Sequence, residues 1–140
     1  MKFTAQRRVR FADCDPAGIV FFPQYFVMLN GFVEEWFDDG LRLPYAQLIG
    51  QQRTGLPTVR LEADFTAVSR HGDDLNLSLT VEKLGRTSLS LRHEFHAGAE
   101  VRLRVRQVLV CTSLATHKPT LWPDGMRSAI AAFTDPEPAS

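Results

Sequence analysis

Two carboxylates lie two residues apart in the segment ADCDPAGIVFFPQYF, which covers residues 12–26. Asp13 and Asp15 precede a Pro-Ala-Gly turn, and an apolar run with two phenylalanines follows that turn. In an acyl-transfer site, a carboxylate acts as nucleophile or general base, and N–H donors opposite it polarise the reacting carbonyl. A helix N-terminus supplies such donors because its first amides have no intrahelical acceptor. The segment therefore predicts a carboxylate site at a helix start, with Asp15 as the candidate acid.

Residue types alone leave two other interpretations of this motif open. An Asp before a Pro-x-Gly sequence is a common turn former, and an Asp near a helix start is often an N-cap. An Asp-x-Asp pair also holds Mg²⁺ in some phosphotransferases. Such a metal site requires an apolar strand directly before the motif and a larger doubly wound domain after it. The preceding Arg-Phe-Ala and a chain of 140 residues fit those two requirements poorly.

The strongest helical signal of the chain follows the motif. Apolar residues recur there at three- and four-residue steps over about four turns. These residues are Tyr25, Phe26, Leu29, Phe32, Val33, Trp36 and Phe37. Pro23 suits the first helical position, and Gly40 suits the helix end. Because the apolar arc is broad, we expect a sheet to wrap around this helix.

The hydrophobic period changes to two after Gly55. Apolar residues alternate in four segments separated by short turns, which predicts four antiparallel strands. The segments cover residues 59–65, 75–81, 89–95 and 101–107. An earlier alternation over residues 3–11 predicts a first strand, whose apolar face is interrupted by Arg7. With a short helix over 124–133, this order predicts one α+β domain over residues 1–140, and we expect the tail from about residue 134 to fray.

Composition and charge restrict the partners that the protein can have. Sixteen Lys and Arg residues balance sixteen Asp and Glu residues, so the strong basic excess typical of nucleic-acid binding is missing. The N-terminus has no signal-peptide core and no stretch is apolar enough to span a membrane, so we expect a cytoplasmic protein. Cys14 and Cys111 are far apart and lack metal-ligand spacing. We therefore expect two free thiols and no zinc site.

The motif resembles the N-terminal signature of the hot-dog-fold acyl-CoA thioesterases, specifically the 4-hydroxybenzoyl-CoA thioesterase family. Members carry Asp-x-Asp, a small-residue turn with Gly, apolar or aromatic residues, and then Tyr-Phe or Tyr-Leu in a central helix. The stretch DCDPAGIVFFPQYF is most similar to the Pseudomonas-type branch. The similarity continues through ADF (63–65), GDDL (72–75) and GRTSLSLRHE (85–94). The resemblance implies a hot-dog fold, in which an antiparallel sheet wraps around one long helix.

The resemblance also implies roles for individual residues. The catalytic carboxylate falls on Asp15, and the backbone N–H that polarises the thioester carbonyl falls on Phe22, where many members have Tyr or His. Asp13 corresponds to a turn or support residue. The basic turn that meets the CoA phosphates falls on residues 85–87, in which only Arg86 keeps a charge. The residues expected to line the substrate site are Gly18, Ile19, Phe21, Phe22 and Tyr25.

Other polar residues have simpler interpretations. One subclass of hot-dog thioesterases uses a helix glutamate, but we interpret Glu34 and Glu35 as solvated or interface-facing acids. His93 falls on the apolar face of its strand and is expected to be a core histidine. Cys14 lacks a local histidine to activate it, so packing is favoured over a nucleophilic role. The strand face expected to be solvated or interfacial carries Arg102, Arg104 and Arg106.

These observations together predict an acyl-CoA thioesterase with Asp15 as nucleophile or general base. Neither a metal nor a redox cofactor is expected, because a thiolate is already a good leaving group. The aromatic residues suit an aryl-acyl group such as 4-hydroxybenzoyl, and short or medium aliphatic chains are the alternative. As in the family, we expect a site at a dimer interface, in a homodimer or homotetramer.

Two further functions stay open at this point. A hot-dog hydratase or dehydratase needs an acid paired with a histidine, and no histidine lies between Met1 and Arg70. A partner histidine would have to come from another strand or subunit. The second function is that of a non-catalytic acyl-CoA-binding protein that has kept the fold.

Overall fold

The protein is described here by a computed structural model, which covers residues 1–134. Most of the tail expected to fray, residues 135–140, lies outside the described residues. The main strands are β1 (Phe3–Arg8), β3 (Thr58–Phe65), β4 (Asp74–Leu84), β5 (Ser88–Ala97) and β6 (Glu100–Val110). They form one antiparallel sheet in the order β1-β4-β5-β6-β3. The five predicted strands are therefore confirmed, with small shifts at their ends.

One long helix packs against this sheet. Helix α1 covers Phe22–Glu35 and continues as a π-helical turn over Trp36–Gly40, so the predicted end at Gly40 is confirmed. The short elements are α2 (Tyr45–Gly50), β2 (Thr54–Gly55), β7 (Thr112–Ser113) and α3 (Met126–Ala131). Strands β2 and β7 pair with each other in a separate two-stranded ladder, which the sequence analysis did not predict.

The core lies between α1 and the inner face of the sheet. The buried residues of α1 are Tyr25, Leu29, Phe32 and Val33. The sheet contributes alternating buried residues from its three central strands: Leu75, Leu77, Leu79 and Val81; Leu89, Leu91 and Phe95; Leu103, Val105 and Leu109. The period-two pattern of the sequence thus corresponds to one buried sheet face, as antiparallel sheets that are solvated on one side show. The α+β architecture is confirmed.

The first strand is shorter than the alternation predicted. β1 ends at Arg8, and Phe11 begins a 3-10 turn with its side chain 73% exposed. Arg7 interrupts the apolar face because it forms an ion pair with Glu35 on α1, and both side chains are half-buried. Glu34 is exposed, as expected. Glu35 is not simply solvated, because its carboxylate pairs with Arg7.

Strand β3 lies at the edge of the sheet. Within residues 1–134 it pairs with β6 alone, so its outer backbone groups face no other strand. Val59 and Phe65 are exposed to 60% and 49%, although the alternation places them on the apolar face. The predicted strand is correct, but its inner face is covered incompletely. An exposed apolar edge of this kind favours association with another chain.

Two of the three arginines of β6 are solvated on the outer sheet face, as expected, and they form ion pairs there. Arg106 lies 2.6 Å from Glu82, and Arg104 lies 3.6 Å from Glu94. No helix among residues 1–134 has both the length and the apolar character that crossing a lipid bilayer requires.

Candidate active site

A tight hairpin between β1 and α1 presents Asp15. The Asp15 amide donates to the Ile19 carbonyl oxygen at 3.0 Å, and the Phe21 amide donates to the Asp13 carbonyl oxygen at 2.9 Å. Gly18 closes the hairpin at φ 78°, a left-handed conformation that glycine adopts without a steric penalty. The predicted turn is therefore confirmed, and it brings the chain back beside the two acids.

The two carboxylates of the motif make different contacts. Oδ2 of Asp13 accepts a hydrogen bond from the Arg10 amide at 2.8 Å and so holds the 3-10 turn before the hairpin. Oδ1 of Asp15 accepts a hydrogen bond from the Ala17 amide at 2.8 Å, which is an Asx turn. Among residues 1–134, Oδ2 of Asp15 has no hydrogen-bond donor. Asp15 thus stabilises the turn with one oxygen and keeps the other available.

The hairpin leads directly into the free N-terminus of α1. The helix begins at Phe22, one residue before the predicted start, and Phe21 is the extended N-cap residue. Pro23 has no N–H, and the Gln24 amide donates to the Phe21 carbonyl oxygen at 2.8 Å. The Phe22 amide has no intrahelical acceptor, and no other acceptor in the described part of the chain takes its hydrogen. It is therefore available to polarise a ligand carbonyl.

A cavity of about 380 Å³ opens beside this helix start. Its lining residues are Val20, Phe22, Tyr25, Phe65, Thr66, Ala67, Val68 and Ser69. Phe65 forms its apolar wall, with ring centroids 6.2 Å from Phe22 and 5.9 Å from Tyr25. Such a largely apolar cleft with a few polar groups is typical of small-molecule sites.

The residues predicted to line the substrate site fall into three groups around this cavity. Phe22 and Tyr25 line it. Gly18 and Ile19 belong to the hairpin behind it, where they shape the backbone. Phe21 lies outside the lining, is half-exposed and packs edge-on against Phe22 with ring centroids 5.7 Å apart.

The loop between β3 and β4 holds the hairpin in place. The Val20 amide donates to the Ser69 carbonyl oxygen at 2.9 Å, and the His71 amide donates to the Gly18 carbonyl oxygen at 3.2 Å. The Ser69 side chain is buried, and the Tyr25 hydroxyl donates to its Oγ at 2.9 Å. This loop therefore connects the hairpin, the cavity and α1.

Arg102 on β6 fixes the same loop from behind. Its Nη1 donates to the Val68 carbonyl oxygen at 2.9 Å, to Oδ2 of Asp73 at 2.8 Å and to Oγ of Ser69 at 3.3 Å. The Arg70 amide and the Arg102 guanidinium hold the pKa of the Asp73 carboxyl below its ordinary value. The loop is thus tied to the sheet by a charged hydrogen-bond network.

The prediction that Arg102 belongs to a solvated or interfacial face with Arg104 and Arg106 is wrong. The Arg102 side chain is only 13% exposed, whereas the other two are more than half exposed. The reason is that the chain after β3 folds over the first residues of β6, where the Thr66 amide donates to the Arg102 carbonyl oxygen at 3.1 Å. No local pattern could reveal this, because the contact joins residues more than thirty positions apart.

The turn that carries Arg86 is well anchored. Nε1 of Trp122 and Nη1 of Arg127 both donate to the Gly85 carbonyl oxygen, at 3.1 and 2.8 Å. The Arg86 side chain is exposed. The turn can therefore present its charge to a ligand at the surface.

Arg86 and Asp15 do not meet within one protomer. β4 begins beside the hairpin end of the sheet, where the Val9 amide donates to the Asp73 carbonyl oxygen at 2.8 Å. Its eleven residues then lead away to the turn with Arg86. A strand of this length spans roughly 35 Å. The predicted basic contact and the predicted acid thus lie at opposite ends of the sheet.

His93 is a core histidine, as predicted. It is 1% exposed, and its Nε2 lies 2.8 Å from Oε1 of Gln107, whose Nε2 donates to Oγ1 of Thr58 at 2.9 Å. Burial lowers the pKa of His93 to about 4, so the ring is neutral at pH 7. It takes no part in the cavity beside α1.

Both cysteines are free thiols, as expected. Burial and then the charges of Asp13 and Asp15 raise the pKa of Cys14, which is the opposite of what a nucleophilic thiol needs. Burial raises the pKa of Cys111 to about 11. Within the described residues, no three His, Cys, Asp or Glu side chains are grouped closely enough to hold a metal ion.

Comparison with known proteins decides the family. A family model described as "Thioesterase-like superfamily" matches residues 9–130. The chain belongs to this thioesterase-like superfamily. It is a thioester hydrolase, so the prediction of an enzyme is confirmed.

Two curated relatives of this thioesterase have different named substrates. The 4-hydroxybenzoyl-CoA thioesterase of Pseudomonas sp. strain CBS-3 is 32% identical over 107 residues, which cover 74% of this chain and 76% of the relative. The 1,4-dihydroxy-2-naphthoyl-CoA hydrolase of Synechocystis is 29% identical over 136 residues, which cover 96% of this chain and 98% of the relative. The matches therefore do not single out the Pseudomonas-type branch.

A solved structure confirms the fold of the thioesterase. The crystal structure of a 1,4-dihydroxy-2-naphthoyl-CoA thioesterase from Synechocystis superposes with a TM-score of 0.86 at 28% identity. The match covers 97% of this chain and 100% of that chain. The hot-dog fold, with one long helix packed on an antiparallel sheet, is thus confirmed.

Proposed function

We propose that this thioesterase hydrolyses an aryl-acyl-CoA, with Asp15 as the attacking or proton-accepting group and the Phe22 amide as the donor to the thioester carbonyl. One observation carries the proposal: a single hairpin holds an available carboxylate oxygen and leads into the free first amide of α1. The apolar cavity lies next to that amide. A thioester placed there has the Phe22 N–H as a neighbour. Asp15 is not among the lining residues, and we propose that its carboxylate reaches the thioester from the adjoining hairpin.

Two sequences of steps fit Asp15. As a nucleophile, its carboxylate attacks the carbonyl carbon, the thiolate of CoA leaves, and water then hydrolyses the mixed anhydride. As a general base, it accepts a proton from water while the water oxygen attacks the same carbon, and the C–S bond then breaks to release the thiolate of CoA and the free acid. In both, negative charge develops on the carbonyl oxygen, and the Phe22 N–H stabilises that charge. The half-buried position of Asp15 allows water to reach it.

The cavity supports an aryl-acyl group. Its wall consists of the aromatic rings of Phe22, Tyr25 and Phe65, and stacked or edge-on rings favour a flat aromatic ligand. The two curated relatives are named for 4-hydroxybenzoyl and 1,4-dihydroxy-2-naphthoyl groups. We therefore place 4-hydroxybenzoyl-CoA, as in the Pseudomonas-type branch, and the bicyclic naphthoyl ester together as candidate substrates, ahead of aliphatic esters.

We further propose that two copies pair through the β3 edges and complete the site. An antiparallel β3–β3 contact would cover the exposed apolar residues Val59 and Phe65. Such a contact also reverses the second sheet, so the partner's Arg86 would lie at the end of the sheet that carries Asp15. This arrangement would bring the phosphate-binding charge and the acid together, which one protomer cannot do. Two such dimers could form a tetramer.

A hydratase or dehydratase fits the geometry less well. That chemistry needs a histidine beside Asp15, and the His71 backbone does lie next to the hairpin. The His71 ring, however, packs edge-on against Phe11 with centroids 5.9 Å apart. We also propose that the chain is a single domain and cytoplasmic, which two unpaired cysteines support.

The experiment that tests the proposal is thiol release from a panel of CoA esters at one protein concentration. The panel contains benzoyl, 4-hydroxybenzoyl, 1,4-dihydroxy-2-naphthoyl, hexanoyl and palmitoyl groups. We expect kcat/KM for the preferred aryl ester to exceed the aliphatic values by about tenfold or more. A folded protein that releases thiol from none of these esters would contradict the proposal, and an aliphatic preference would overturn the aryl assignment.

A further inference from the structure

The polar floor of the cavity is a pair of buried hydroxyl groups. Oη of Tyr25 and Oγ of Ser69 lie 2.9 Å apart, and both residues line the cavity. Tyr25 is 4% exposed and Ser69 is 1% exposed. Most buried side-chain polar atoms have at least one hydrogen-bond partner, and each hydroxyl can donate one hydrogen bond and accept others. The hydrogens of this pair can therefore be counted.

The count leaves one hydrogen without an acceptor. The pair has two hydroxyl hydrogens, and the bond between Tyr25 and Ser69 uses one of them, whichever group donates. Nη1 of Arg102 also donates to Oγ of Ser69, at 3.3 Å, so it consumes an acceptor position and supplies none. Within residues 1–134, neither hydroxyl donates a hydrogen bond to any other acceptor. One donor of the pair is thus left over.

A neighbouring hydroxyl on the same cavity shows the contrast. Oγ1 of Thr66 donates to the Val101 carbonyl oxygen at 2.6 Å, so its hydrogen is already used by the protein. The remaining lining is mostly apolar or aromatic. The unused donor of the Tyr25–Ser69 pair is therefore a specific polar feature of the cavity, in a space that can hold water or a ligand oxygen.

We propose that the Tyr25–Ser69 pair is a specificity site that donates a hydrogen bond to an oxygen on the acyl group, such as a ring hydroxyl or a ring carbonyl. This inference rests on the proposed function, because it assumes that the acyl group occupies the cavity. An analogue without the oxygen leaves the buried donor unpaired, and sites of this kind discriminate strongly against such analogues. The pair thus selects oxygenated aryl esters over plain ones.

The charges behind the pair favour a neutral oxygen over an anion. The Arg102 guanidinium lies 2.8 Å from the Asp73 carboxylate and 2.6 Å from the Glu100 carboxylate. The Arg102 guanidinium is therefore already paired with two carboxylates and is not free to bind a ligand carboxylate. Arg102 acts as a positioning residue here, because its hydrogen bond to Ser69 fixes which lone pairs are occupied.

The test compares kcat/KM for the 2-, 3- and 4-hydroxybenzoyl-CoA isomers with that for benzoyl-CoA. Wild type should prefer at least one isomer over benzoyl-CoA, and Ser69→Ala and Tyr25→Phe should each lower that ratio about tenfold. The double variant should have nearly the same ratio as each single variant, since both hydroxyls share one free donor. Thr66→Val is the matched control, and its ratio should stay at the wild-type value.

Four outcomes separate this inference from the proposed function. A ratio that stays unchanged in both Ser69→Ala and Tyr25→Phe, while thiol is still released, would overturn the specificity site alone. The specificity site would also be overturned if wild type had the same kcat/KM for benzoyl-CoA and for every hydroxy isomer. An equal fall of the ratio in Thr66→Val would overturn it too. Absence of thiol release from every ester would instead contradict the proposed function. Circular dichroism of each variant establishes that it is folded.

Discussion

The Phe21 amide donates a hydrogen bond to the Asp13 carbonyl oxygen at 2.9 Å, and this contact closes the hairpin between β1 and α1. Asp15 follows on one arm of the hairpin and Phe22 on the other. The carboxylate and the first amide of the helix are therefore held by one short backbone unit. Because the contact joins backbone atoms, side-chain substitutions at Asp15 and Phe22 can test the chemistry while the hairpin is kept.

The Phe22 amide can be removed without breaking α1. Proline is favoured in the first helical turn, and the extended Phe21 (φ −70°, ψ 121°) is compatible with a following proline. We expect Phe22→Pro to lower kcat by a factor of about 10² to 10³, the usual cost of losing one oxyanion donor. Thiol release under saturating substrate measures this effect.

Phe22→Ala is the control for that experiment. It removes the same aromatic side chain but keeps the N–H, so its kcat should exceed that of Phe22→Pro by at least about tenfold. Its KM should rise, because one wall of the cavity is lost. Equal kcat values in the two variants would show that the amide does not act on the carbonyl.

Arg86 should bind the CoA part of the substrate and not the acyl group. We expect Arg86→Gln to raise KM for an acyl-CoA about tenfold at low salt, with a smaller effect at high salt because exposed charges are screened. The KM for the corresponding acyl-pantetheine, which lacks the phosphates, should stay unchanged in the same variant. An equal rise in KM for both esters would contradict a role of Arg86 in phosphate binding.

The β3 edge should control both assembly and activity. Leu61→Lys places a charge on the exposed apolar strand, and we expect it to weaken dimerisation by roughly tenfold or more. Specific activity should then fall on dilution in parallel with the dimer fraction measured by sedimentation. Leu121→Lys, at an exposed position outside β3, is the control. A fully active monomer would contradict a site completed by a second copy.

Local patterns predicted the elements but not their neighbours. The three- and four-residue spacing of α1 and the alternation of β4 to β6 are short-range signals, and both were predicted correctly. The position of β3 at the sheet edge depends on which strands pair, and alternation carries no information on pairing. The two-residue strands Thr54–Gly55 and Thr112–Ser113 are too short to show any period.

The candidate site was predicted only in part, because local sequence patterns carry no information on contacts between distant segments. Asp15, Phe22 and Tyr25 lie within one short segment, so the motif itself shows them together. Ser69 was missed because its partners, Tyr25 and Arg102, lie 44 and 33 positions away in the chain. A serine before a turn has no local feature that distinguishes it from a surface residue.

His93 should make the protein less stable in acid. Its pKa in the folded protein is about 4, below the value near 6.5 that an unfolded histidine has, so the unfolded state binds more protons between these pH values. The stability is therefore fully present above about pH 6.5 and is lost as the pH falls towards 4, by roughly 3 kcal/mol in total.

Urea unfolding at pH values from 7.5 to about 4 measures this loss. His93→Gln removes the titrating group but keeps a donor towards Oε1 of Gln107, so its free energy of unfolding should change less over the same range. His117→Gln, at an exposed position, is the control, and its free energy of unfolding should depend on pH as that of wild type does. If the free energy of unfolding of His93→Gln depended on pH as strongly as that of wild type, groups other than His93 would cause the acid sensitivity.

The most direct test of the account is thiol release by Asp15→Asn beside Asp13→Asn. Both substitutions remove one charge and keep an oxygen for the turn contacts with Ala17 and Arg10, so both proteins should fold. We predict that Asp15→Asn lowers kcat by at least about a hundredfold, whereas Asp13→Asn keeps kcat within about tenfold of wild type. Equal activity of Asp15→Asn and wild type would contradict the central role of Asp15.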